Sequence, residues 1–157
     1  MKLEIVKHSH SVGKSNFHYQ ITPAYRRPIF VDERVRKLTQ AYLLSKAQDL
    51  NVIIVSVNFG PDHMHFFVGN CKNFSAAKLI GEIKGYISFV MRKYHKKLFE
   101  RFLWGDSFWA SGYFYRSIGQ ATSEAIKYYI ENSQEKHWEV VDYEFYNYSN
   151  QKTLSSF

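Results

Sequence analysis

Cysteine and proline are scarce: one cysteine, Cys71, and three prolines in 157 residues. A lone cysteine excludes a disulfide framework within the chain and any multi-cysteine zinc site. Long apolar runs are missing as well, and none approaches the ~20 residues that a bilayer-spanning helix requires. The N-terminal stretch MKLEIVKHSHSVGKS starts with charge but has no apolar stretch behind it, so no signal peptide is expected. A soluble, cytoplasmic, nucleoid-associated protein is the expectation, with no membrane partner. Low-complexity segments and internal repeats are also lacking. Acid is scarce outside the tail: residues 1–130 carry 19 basic against 9 acidic side chains, whereas residues 131–157 carry 2 against 5.

What is present is apolar and aromatic. About 45% of residues are hydrophobic and 18% aromatic, a composition that can offset the entropy of ordering a core and argues against disorder. One domain over residues 1–157 is expected, with its core at about 15–138 and the tail 139–157 unplaced. The net charge is +7, concentrated in residues 72–101, where eight bases meet two acids. Cations interleaved with Tyr, Phe and Trp suit single-stranded nucleic acid, which needs charge for phosphates and ring faces for unstacked bases. A solvated basic helix that keeps the protein soluble has the same composition.

Periodicity predicts the elements. Asn16–Thr22 (NFHYQIT) reads as a strand closed by Pro23, and AYRRPIF as a basic turn. Asp32 caps a helix to about Asp49, with Val35, Leu38, Tyr42 and Leu43 on its apolar face. Asn51–Phe59 and His63–Gly69, joined by Gly60-Pro61-Asp62, predict an antiparallel hairpin. Asn73 or Ser75 starts a basic helix to about Lys97. Phe108–Ile118 reads as a strand, and Thr122 or Ser123 caps a last helix through about Asn132. The order β-α-β-β-α-β is that of an α+β fold: a ferredoxin-like or RRM-like split β-α-β antiparallel sheet with helices, plus a C-terminal helix carrying tyrosine.

Two places could carry chemistry. His63 and His65 project from the same strand face about 7 Å apart, so they can share a divalent ion, or simply alternate on a solvated face. On the last helix, Ala125 and Tyr129 lie four apart on one face. Tyr129 is either a core or rim aromatic or a nucleophile, and a phenol with a pKa near ~10 needs a metal or a base to become one.

Four segments in register, YRRPIF (25–30), GPDHMHFFV (60–68), LWGDSFWASGYFYRSIG (103–119) and AIKYYIEN (125–132), resemble the small single-tyrosine HUH transposases of the insertion sequence 200/605 group. The likeness runs from about residue 15 to 138. It implies that His63 and His65 hold Mg²⁺ or Mn²⁺ and that Tyr129, not Tyr128, attacks single-stranded DNA to form a 5′-phosphotyrosine link. It also implies that the hairpin-forming ends of a transposable element are cut and rejoined by a homodimer, the tyrosine helix of one subunit completing the metal site of the other. In that family a glutamine four residues after the tyrosine is a third ligand. Here Ser133 stands at that position and Gln134, five residues after the tyrosine, is turned about 140° from Tyr129 round a regular helix, so Gln134 reaches the metal only where the helix frays or tightens. The family's Thr-Lys-Tyr-Arg element has become Thr22-Pro23-Ala24-Tyr25-Arg26. The cations expected on DNA are Arg26, Arg27, Lys84, Arg92, Lys93, Lys96, Lys97 and Arg116. Asp62 could orient a histidine or merely form the turn. The dimer joint is expected on the hairpin, at Val52, Ile54, His65 and Phe67. The rival readings are a non-catalytic RRM-like binding module, a replication or relaxase-type nickase, and a domesticated, inactive transposase.

Overall fold

In β1 (Asn16–Ile21), Phe17, Tyr19 and Ile21 are buried while His18 and Gln20 point the other way, the alternation of a half-buried strand. A computed structural model describes residues 15–118, in which β1 leads into two short 3₁₀ turns, Ala24–Arg26 and Ile29–Val31. Helix α1 (Glu33–Asp49) begins where Asp32 accepts a hydrogen bond from the Arg34 backbone N–H at 2.9 Å. It ends as Asn51 takes a left-handed conformation (φ 56°), with the Val52 N–H returning to the Ala47 carbonyl.

Strands β2 (Ile53–Gly60) and β3 (His63–Gly69) form the expected hairpin through Pro61 and Asp62. The register passes from Ile54 opposite Val68 to Ser56 opposite Phe67, so Val55 is an extra residue, a bulge in β2. Helix α2 (Ala76–His95) starts at Ser75, whose hydroxyl accepts from the Lys78 N–H at 3.1 Å, and runs on into a 3₁₀ turn, Lys96–Leu98. Strand β4 (Phe114–Ile118) returns beside β1.

The sheet order is β2-β3-β1-β4, every neighbouring pair antiparallel, which is the split β-α-β arrangement the element order predicts. Tyr19, Ile21, Met64, Phe66 and Val68 meet Val35, Leu43, Leu79, Ile83 and Ile87 in one core. The Tyr19 hydroxyl donates to the Ala76 carbonyl at 2.8 Å and ties the sheet to the start of α2.

Two expectations differ. The strand read over 108–118 starts only at Phe114, because Phe108 and Trp109 pack into the core while Trp109 pairs only in an isolated bridge, so residues 108–113 do not join the sheet. That segment instead lies beside residues 22–24, with Ala24 N–H bonding to the Phe108 carbonyl and Ala110 N–H to the Thr22 carbonyl. The joint expected at Val52, Ile54 and Phe67 is not an apolar surface. β2 does form an edge, but Val52 and Ile54 belong to the core and Phe67 is 1% exposed.

Candidate metal and DNA site

The β3 pleat sends Met64, Phe66 and Val68 into the core and His63 and His65 to the other face. The two imidazoles lie with ring centroids 4.8 Å apart and planes at 85°. Register completes the surroundings: Gln20 on β1 and Asn58 on β2 flank His65, and Gly60 stands opposite His63. A Cβ at Gly60 would run into the His63 ring, so glycine here leaves the ring the place it occupies and a larger residue would force it to move.

Asp62 orients the first histidine. Its carboxylate accepts from His63 Nδ1 at 2.9 Å and from Arg26 Nε at 3.3 Å, bridging the turn at Ala24–Arg26 to the hairpin. The His63 hydrogen bond and the Arg26 charge hold the Asp62 carboxyl below its usual range. With Nδ1–H engaged, Nε2 carries the lone pair that a cation would use. Burial, then the charge of His63, push the His65 pKa down to about 4. His18, opposite Phe67 on the same face, is 5.8 Å from His65 between ring centroids and is likewise lowered to about 4, by burial first and then by His65 and Arg116. Imidazoles kept neutral near pH 7 are suited to metal ligation. Among the described residues no three His, Cys, Asp or Glu side chains gather to hold a metal ion. Gln134 and Tyr129 lie outside the described residues.

The model of the family described as "Transposase IS200 like" matches residues 11–133. The chain belongs to this family. Among the described residues the match covers the hairpin, both helices and all four strands, and it makes the protein a transposase of the insertion-sequence type, an enzyme of DNA transposition. The transposases for insertion sequence element IS200 of Salmonella typhimurium and Salmonella typhi are each 25% identical over 128 residues, 82% of this chain and 82% of theirs. The crystal structure of a putative transposase from Deinococcus radiodurans has the same fold, with a TM-score of 0.58 and 24% identity over 74% of this chain and 88% of that one.

The cations expected on DNA form three groups, with Arg27 apart from them. Arg26, through Asp62, and Arg116, opposite His18 on β4, stand at the histidine face. Lys84 donates to the Ala110 and Gly112 carbonyls, and Arg92 donates to the Ser107 carbonyl, so these two anchor the 107–112 segment. Lys93, Lys96 and Lys97 are exposed at the end of α2, which packs on the core face, away from the histidines. Arg27 sits over the Trp104 ring, 4.8 Å from its centroid. Sequence reasoning missed His18 and Gly60, since only the strand register brings them to the pair. No helix among the described residues is long and apolar enough to cross a membrane.

Proposed function

We propose that the chain cuts and rejoins single-stranded transposon ends through a 5′-phosphotyrosine intermediate. The observation that carries this reading is one hairpin end: two imidazoles on one face, the first oriented by Asp62 and given room by Gly60. Mg²⁺ or Mn²⁺ held by His63 and His65, with Gln134 as a further donor, would polarise the scissile phosphate. Tyr129 supplies the attacking oxygen. Its bond to phosphorus forms as the bond to the 3′-oxygen breaks, and the departing 3′-oxygen takes up a proton in place of the one the tyrosine loses. A 3′-hydroxyl from a second DNA end then displaces the tyrosine, so one phosphodiester replaces another without ATP.

The partner is a hairpin-forming DNA end. Lys93, Lys96 and Lys97 contact duplex phosphates while Arg26 and Arg116 attend the single strand at the histidine face. A homodimer, each tyrosine serving the other subunit's histidines, would bring two ends together. Labelled single-stranded end DNA with Mn²⁺ should yield a covalent protein–DNA band on a denaturing gel. Tyr129→Phe should lose the band and Tyr128→Phe should keep it; the opposite result moves the nucleophile by one residue. Heterodimers of a His63→Ala, His65→Ala variant with Tyr129→Phe should recover cleavage if the tyrosine acts in trans, and verified heterodimers without cleavage would place it in cis.

A further inference from the structure

Outside the histidine face, two large rings are displayed to solvent beside one cleft. Tyr25 is 86% exposed and Trp104 70% exposed, and with Arg27 and Asp106 they line a space of about 120 Å³. The display of Tyr25 is strained. Tyr25 and Arg26 are successive non-glycine residues with φ of 56° and 52°, a left-handed conformation that disfavours such side chains. Several bonds hold the strained turn in place: the Arg26 N–H to the Pro23 carbonyl at 2.9 Å, the Ala24 N–H to the Phe108 carbonyl at 3.0 Å, and the Arg26–Asp62 ion pair. On the other wall, buried Leu103 anchors the chain and leaves Trp104 outside, under the Arg27 guanidinium. Neither ring contributes to the core, so packing does not account for the strain.

We infer that this cleft binds one unstacked base of the single-stranded DNA substrate, next to the phosphate at the histidine pair. The inference rests on the single-strand reading given above. Exposed aromatic faces and a planar guanidinium are the surfaces on which splayed bases stack. The Asp106 carboxylate on the same rim repels phosphate, which selects a base over the backbone. Position follows from connectivity: Arg26, neighbour to both Tyr25 and Arg27, is paired with the Asp62 that orients His63. A base held at Tyr25 and Trp104 would therefore flank the scissile phosphate and set where the strand is cut.

The test uses the whole protein and short single-stranded end DNA carrying one fluorescent aminopurine, moved stepwise across the cut site. Wild-type protein should quench one position most strongly. Trp104→Ala and Tyr25→Ala should abolish that quench and weaken single-strand binding about tenfold, within the range that one stacked base contributes. Trp104→Phe, which keeps a ring, should restore most of both. Circular dichroism should match wild type in each variant, since neither ring is buried. Unchanged quenching and affinity in the two alanine variants would overturn the inference while leaving the cleavage chemistry standing. Trp104-dependent quenching without any covalent band would keep the inference and sink the chemistry. A wild-type protein that does not bind single strands overturns both.

Discussion

His95, near the end of α2, makes the fold acid-sensitive. Its Nε2 and the Tyr42 hydroxyl of α1 lie 2.7 Å apart, with His95 4% and Tyr42 3% exposed. Burial lowers the His95 pKa from 6.5 to about 4. The folded pKa is below the unfolded one, so the unfolded chain takes up the proton first. The stabilisation is complete above pH 6.5 and is lost as pH falls toward 4, and a shift of this size corresponds to about 3 kcal/mol. His18 and His65 are depressed into the same window, so the wild-type curve alone does not isolate His95. The informative perturbation is His95→Gln, which keeps a polar partner for Tyr42 but removes the titration. Urea unfolding of both proteins at several pH values between 7.5 and 4.5 gives the difference directly. Wild type should be the more stable at neutral pH, and the gap should shrink or reverse by about 2–3 kcal/mol toward the acid end. A gap independent of pH would refute the reasoning.

Three further outcomes are expected. Gly60→Ala should displace the His63 ring and reduce cleavage about 10–100-fold with a smaller change in urea midpoint, and full cleavage would contradict the close approach seen at this position. Asp62→Asn should weaken Mn²⁺ binding by about 10–100-fold in calorimetry, because the carboxylate that orients His63 is gone; unchanged affinity would make Asp62 a turn residue only. Neutralising Lys93, Lys96 and Lys97 together should reduce the slope of log affinity against log salt by about two to three units, and an unchanged slope would place the DNA elsewhere.

The hairpin was legible because two short runs rich in β-branched and aromatic residues flank an unambiguous Gly-Pro-Asp turn. The start of α1 was legible from Asp32 and that of α2 to within two residues, Asn73 or Ser75, because Asp32 and Ser75 are short polar side chains that satisfy first-turn N–H groups. Asn51 was not, since a residue at the seam of helix and strand fits both patterns until its positive φ is known. The stretch 108–113 was not either, because aromatic content fits equally a strand and a segment that packs its rings into the core beside the sheet without pairing along it, as Phe108 and Trp109 do. At the candidate site the i, i+2 spacing revealed His63 and His65. His18 and Gly60 depend on which strands pair and in what register, a long-range fact that no local pattern encodes.

An open antiparallel sheet commits one face to helices and leaves the other for ligands, and the side chains on the second face distinguish the chemistries such a fold can host. A sheet that only binds single strands would carry exposed rings at the outward positions of its two central strands. In this chain those strands are β1 and β3, and their outward positions hold Asn16, His18, Gln20, His63, His65 and the buried Phe67. Imidazoles and amides occupy the centre, where they can hold a cation but offer little stacking area. The exposed rings among the described residues lie off this centre: Tyr25 and Trp104 before and after the helices, Phe114 and Tyr115 on the edge strand β4, and Phe89 on α2. Such a division favours a reacting phosphate at the middle of the sheet with bases gripped around it, and it favours the transposase reading over the plain binding module. The basic end of α2, on the far side of the core, is then free to hold a part of the DNA that takes no part in the reaction.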